Sequence, residues 1–424
     1  MNMRLNAPLT KLSDRRKGVR RIRRKRHSFE EIFMLKILTA FSLGLFVICL
    51  FVFIKYTLSS IPGLPSQRKD VIYLKSGTVI FPDIQGDTLA RQRRTVVKGA
   101  MVHAWNAYRT HAFGYDEIRP VSGKGERNWF GVGTTLVDSL DTLWLMDLKE
   151  EFYEARDWVR DSLSHEVDEL VSTFETTIRS MGGLLSAYYW SKDEVFKEKA
   201  EDIGRRLIRA FDSPSGIPYC QVNLKTGEAV NEKWSPRETQ VAAAGTLQLE
   251  FRELSRVTNN SFYSDKPDRA LDVLYSMKPK NGLYYTAIKN TNKTPSFGIV
   301  SSRLTFGGRA DSFYEYMLKL WLQGGKTQPK YRDAYDKAIE GMHTVLLKYS
   351  SPSNLAYLAK IKHNNGGRLI HEFEHLECFM GGKVNWCIFS FVSLPHHDFT
   401  FLIKYQILYQ KVYWPLGLTQ THWA

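Results

Sequence analysis

Carboxylates and guanidinium groups at helical spacing are the residues here whose types suit acid–base chemistry. Glu175 and Arg179 stand four residues apart in the string TFETTIRSMGGLLSAY (residues 173–188), so a helix stacks them on one face. Gly182 and Gly183 extend that face, seven and eight residues beyond Glu175. A glycine costs a helix interior about 1 kcal/mol relative to alanine. Two in a row therefore predict that something approaches closely. Ile178, Met181, Leu184 and Leu185 give the opposite face apolar packing. Such a helix suits a polar pocket between helices.

Three further blocks carry similar groups. Residues 134–143, TTLVDSLDTL, set Asp138 and Asp141 three apart in an otherwise apolar helix. Residues 306–316, FGGRADSFYEY, bring Arg309 and Asp311 to a helix start, with Glu315 four residues on. Residues 114–120, GYDEIRP, combine acidic, basic and turn-forming groups. Each block also has a plainer reading. Asp311 could cap its helix, Asp138 could bond a neighbouring turn, and Glu175–Arg179 could be a surface pair worth a few tenths of a kcal/mol. No Cys/His zinc spacing, P-loop or nucleophile elbow is present.

The elements that must position these groups are helical. Apolar residues recur at three- and four-residue spacing through 96–108, 136–148, 152–163, 174–190, 195–210, 241–257, 270–277, 310–322 and 335–347. Strand-like alternation is short and scarce, best at 283–288. Turn chemistry separates the helices, as at Ser213-Pro-Ser-Gly216 and Gly324-Gly325. No repeat of fixed period argues for a solenoid. Polar or small residues on one face of several helices favour an all-α closed barrel or toroid whose cavity they line.

The net charge of +15 over 424 residues is concentrated at the amino end. Residues 1–36 hold 12 Lys/Arg against 3 Asp/Glu, directly before an uncharged apolar run at 37–54. That run is long enough to span a bilayer, and positive charge ahead of it keeps the amino end cytosolic. The expected organisation is a basic arm (1–36), a transmembrane signal anchor (37–54), a lumenal stem (55–90) and a helical domain from 91. Nucleic-acid binding is not expected, because no groove-reading or aromatic motif accompanies the arm. Of four cysteines, Cys49 lies in the anchor, and Cys220, Cys378 and Cys387 are too few for a disulfide scaffold. Asn259-Asn-Ser261 and Asn292-Lys-Thr294 are glycosylation sequons, which suits a lumenal surface.

Together these blocks resemble the class I α-1,2-mannosidases, glycoside hydrolase family 47. The resemblance covers residues 91–382 in order, through DEIRP, TLVDSLDTLW, FETTIRSMGGLLSAYYWS, SGIPYCQVNLKTG, GTLQLEFRELSRVT, GGRADSFYEYMLKLWLQGGK and HLECFMGG. It implies an (α/α)7 barrel and a lumenal type II membrane enzyme of the endoplasmic reticulum or Golgi. It also implies calcium-dependent, inverting removal of α-1,2-linked mannose from high-mannose N-glycans. By position it makes Glu175 the proton donor acting through a water, Asp311 a second catalytic carboxylate, and Arg179 and Arg309 substrate-binding residues. No metal ligand is assigned.

Three departures from the family pattern bear on activity. The carboxylate of an RPETxES-like helix, regarded as the base, and a calcium-binding Thr have no counterpart after Gly382, where residues 383–424 read as a non-matching tail. Ala243 stands where the family usually has Glu. Cys378 matches one half of the family disulfide without its usual partner. The chain is therefore expected to show little or no turnover, general-base loss alone removing on the order of 10²–10⁴ in rate. Two other readings stand beside a truncated glycosidase: a non-catalytic glycan-binding quality-control partner, and a product that does not fold. Lys383-Val384-Asn385 can be encoded as a splice donor, so translated intron is one source for the tail; transcript sequencing decides it.

Overall fold

The computed structural model describes strands Ile72–Tyr73 and Val79–Ile80 and residues 88–129, 131–298, 302–363 and 367–381. The chain divides into two units, Met1–Thr95 and Val96–Ala424. In the first, Ile72–Tyr73 and Val79–Ile80 pair antiparallel. The basic arm, the anchor at 37–54, most of the stem and the tail lie outside the described residues. Among the described residues, no helix is long and apolar enough to cross a membrane.

In the second unit, α1 (Thr88–Ala112, which begins in the first unit) leads to α2 (Thr134–Leu145) and α3 (Lys149–Asp161). Next come α4 (Thr173–Thr176), α5 (Gly182–Ser191) and α6 (Glu194–Leu207), then α7 (Val241–Gly245), α8 (Gln248–Thr258) and α9 (Phe262–Ser276). Helices α10 (Asp311–Gln323) and α11 (Pro329–Gly341) complete the set among the described residues. Pairs close in sequence pack on one another: α2 on α3, α5 on α6, α8 on α9, and α10 on α11. The apolar faces close around two cores. One gathers Leu136, Leu140, Phe152, Met181 and Phe196, and the other Phe306, Phe313, Tyr314, Tyr331 and Tyr335, all fully buried or nearly so. Burying a side chain of this size contributes about 1.5–3 kcal/mol.

The all-α expectation is corrected in part: the unit is helix-rich, yet short strands set where the site helices begin. Leu170–Ser172 pairs with Gln221–Asn223 and runs directly into α4. Glu238–Gln240 pairs with Ala287–Lys289 and runs into α7. Arg303–Leu304 pairs with Lys360–Lys362, and a short turn links Leu304 to α10, which opens at Asp311. Strands of two or three residues are too short for alternation to reveal. The helix expected over 241–257 is broken at Thr246–Leu247 for a related reason. Thr246 Oγ1 bonds Ser312 Oγ at 2.9 Å, tying this break to α10.

Candidate active site

Glu175 is placed by the strand that precedes it. Ser172 keeps extended backbone, and its hydroxyl accepts the Glu175 N–H at 3.2 Å, which caps the new helix. Glu175 thus sits in the first turn, where the amide end of a helix favours a carboxylate. Arg179 Nε donates to Glu175 Oε2 at 2.9 Å, so the spacing argument holds. The other end of the guanidinium donates to Asp138 Oδ2 on α2 at 3.1 Å. Its carbon lies 5.5 Å from the ring centre of Trp129.

One cation therefore joins two carboxylates and an aromatic face. Glu175, Arg179 and Trp129 line an open hollow with Thr134 and Ser180. The side chains of Glu175 and Arg179 keep 27% and 39% exposure, so a ligand can reach both. Burial pushes the Asp138 carboxyl above its ordinary range, and Arg179 opposes that shift. Burial works against the Arg179 charge too, but Glu175 and Asp138 outweigh it and hold the guanidinium charged. The nearby Asp141 takes no part, since it accepts Ser186 Oγ at 2.8 Å and ties α2 to α5.

Thr177–Met181 widen into a π-turn centred on Arg179, a feature found mostly as single turns inside α-helices and often at functional sites. This corrects the expectation that Gly182 and Gly183 extend the Glu175 face. A Cβ on Gly183 would sit 2.7 Å from the Val137 carbonyl oxygen, so this glycine lets α5 lie against α2. A Cβ on Gly182 meets nothing nearer than Glu250 Cγ and Thr177 O, both at 3.6 Å. Gly183→Ala should therefore destabilise the fold by about 1–3 kcal/mol through overpacking. Gly182→Ala should be neutral or stabilising by up to about 1 kcal/mol. Denaturant titration of the two variants checks this, and equal effects would refute it.

Arg309 and Trp234 form a second, similar arrangement. The Arg309 guanidinium carbon lies 5.1 Å from the Trp234 ring centre, in a hollow lined also by Ser235, Glu238 and Gln240. Arg309 has a left-handed backbone, φ 73°, a strained choice for a residue with a Cβ. The turn is held by Glu374, which accepts the Gly308 N–H and pairs with the buried Lys360 at 2.9 Å. Glu377, fully buried, accepts Thr305 Oγ1 at 2.8 Å and the Glu374 N–H at 2.9 Å.

Asp311 opens α10 and lines neither hollow, while Glu315 pairs with Lys319 at 2.5 Å. Glu175 and Asp311 do share a neighbour. Helix α7 packs against both α4 and α10, and the Ala242 N–H donates to Arg309 O at 3.0 Å. Half-buried Ala243 lies on that short helix. Beneath α5, the buried carboxyl of Glu250 accepts the Tyr316 hydroxyl at 2.7 Å, and its other oxygen has no partner.

Nothing in the sequence singles out Trp129, Trp234, Glu250 or Glu377. Aromatics and lone glutamates have no spacing signature; only the acidic GYDEIRP string pointed toward the Trp129 loop. Cys220 is buried beside Thr239 Oγ1 at 3.3 Å. Among the described residues no group of three or more His, Cys, Asp or Glu side chains is arranged to hold a metal ion.

A family model described as glycosyl hydrolase family 47 matches residues 100–416, running past residue 382 into the segment read as a non-matching tail. A mannosyl-oligosaccharide 1,2-alpha-mannosidase of Arabidopsis thaliana is 44% identical over 305 residues, covering 71% of this chain and 53% of the relative. The endoplasmic reticulum mannosyl-oligosaccharide 1,2-alpha-mannosidase of Homo sapiens is 41% identical over 308 residues, covering 72% and 43%. An alpha-1,2-mannosidase structure from Trichoderma reesei superposes with a TM-score of 0.62 at 27% identity, covering 69% of this chain and 63% of that one. The chain spans about half the length of the curated relatives it matches.

Proposed function

Because the chain belongs to glycosyl hydrolase family 47, we propose that it removes terminal α-1,2-linked mannose from high-mannose N-glycans. The observation that carries this reading is the Arg179 guanidinium, held between Glu175, Asp138 and the Trp129 ring in an open hollow. A sugar entering there would meet a cation for its hydroxyls, an aromatic wall for its C–H face, and a carboxyl to protonate the leaving oxygen. Glycoside hydrolysis needs that acid and a second carboxylate to direct water. Glu175 is assigned the first role, through a water, and Asp311 is a further catalytic carboxylate, while the carboxylate that the resemblance makes the base has no counterpart after Gly382. Arg179 and Arg309 bind substrate.

The wider reading follows the family. The helices form part of an (α/α)7 barrel on the lumenal side of the endoplasmic reticulum or Golgi membrane. Residues 37–54 serve as a single type II anchor, supported by the basic arm before them. The name of the human relative favours the first of those compartments.

The test is release of free mannose from α-1,2-mannobiose by the full chain, with calcium added and with a chelator. Only slow release is expected, because the family's base and calcium-binding Thr have no counterpart after Gly382 and Ala243 stands where the family usually has Glu, and α-1,3- and α-1,6-mannobiose should be poor substrates. Binding without release would overturn the hydrolase reading.

A further inference from the structure

We propose that Asp116 and Glu117 are positioning residues for the Glu175 hollow, acting on Arg179 through Trp129. Asp116 is fully buried and organises the loop that carries this tryptophan. Its Oδ2 accepts the N–H groups of Trp129 at 3.1 Å and Gly131 at 2.6 Å. Its Oδ1 accepts the Thr134 N–H at 3.1 Å and the Thr134 hydroxyl at 3.3 Å. The residue before α2 is Gly133, which has no side chain to cap the helix. Asp116 supplies that cap from eighteen residues away. It therefore fixes both Trp129 and the start of the helix that presents Asp138, two of the three partners of Arg179.

Glu117 completes the arrangement from the neighbouring position. Its Oε1 accepts the Trp129 indole N–H at 2.8 Å, and its Oε2 accepts Asn128 Nδ2 at 2.6 Å. The backbone and the ring of one tryptophan are thus held by two adjacent carboxylates. A charge-assisted bond fixes ring orientation more firmly than a neutral one. It also polarises the indole, strengthening the attraction of its face for a cation. Arg179 sits against that face. With the ring turned, the guanidinium would keep its ionic partners but lose the wall that limits its rotation.

This inference rests on the hollow being a sugar site, so its test has one arm that needs no sugar. Glu117 is half-buried and can be changed without opening a core. In the full chain, Glu117→Ala should weaken calorimetric binding of α-1,2-mannobiose about tenfold. Its melting temperature should stay within about 2 °C of the parent. Glu117→Gln keeps an acceptor and should restore most of the affinity. In a Trp129→Phe background, which lacks the indole N–H, Glu117→Ala should have no further effect. The same loss in both backgrounds would overturn the proposal, as would a Glu117→Gln variant no better than Glu117→Ala. Should the parent neither bind nor cleave the disaccharide, the proposed function fails, and hydrogen exchange still decides the positioning role. Faster exchange over residues 174–184 in Glu117→Ala, but not in Glu117→Gln, supports it; no difference overturns it.

Discussion

Glu175→Gln is expected to cut mannose release by about 10²–10⁴-fold, the usual contribution of a general acid, while mannobiose affinity stays near that of the parent. Glutamine keeps the length and one acceptor for Arg179 Nε, so the pair at 2.9 Å loses charge rather than geometry. What it cannot do is deliver a proton to the leaving oxygen. Arg179→Met should behave differently. It leaves Glu175 and Asp138 without the cation they share, so affinity and rate should fall together. Initial rates and calorimetry on the two variants separate these cases. A Glu175→Gln chain with parental turnover would remove Glu175 from the acid role.

The second large effect concerns pH. Burial pushes Glu377 up to about 7, with the Glu374 N–H and Thr305 hydroxyl opposing it. Burial likewise pushes Glu250 up to about 7, against the Tyr316 hydroxyl. Both carboxyls titrate lower in the unfolded chain, so the folded state prefers them neutral. Their contribution to stability is therefore full below about 4.5 and is lost as pH rises to about 7. The gap amounts to roughly 3 kcal/mol for each group. The chain should melt at a higher temperature at pH 5 than at pH 8. Glu250→Gln, which keeps the acceptor for Tyr316 without a charge, should flatten the upper part of that dependence. An unchanged slope between pH 5 and pH 8 in this variant would show that Glu250 is not the source.

How much of this was legible beforehand depends on how far each interaction reaches along the chain. Glu175 and Arg179 announce their contact because four residues is one helical turn. The Asp138 contact to Arg179 spans 41 positions, and only the packing of α2 beside the π-turn creates it. Resemblance to a family pointed to Glu175, Arg179, Arg309 and Asp311, yet the described hollows separate Arg309 from Glu175 and include Asp311 in neither. The helices at 134–145 and 311–323 follow directly from apolar spacing. The strands that aim α4 and α7 are set by pairing partners tens of residues away, and no local pattern encodes them. The paired glycines were flagged for good reason, but the close neighbour of Gly183 is a helix backbone rather than a ligand.

The π-turn at Thr177–Met181 makes the length of this segment part of the site. It acts as a phase shifter within one rod: Glu175 before the turn and Arg179 at its centre line the open hollow, and downstream Gly183 meets α2. Removing one residue and tightening the turn to ordinary pitch would leave everything beyond it at nearly the same angle, because five residues of π-turn sweep about the same arc as four of α-helix. Over evolutionary time, then, this turn is where the rod can gain or lose one residue without turning Gly183 away from α2, and an alignment gap here would mark the turn itself rather than a break in the helix.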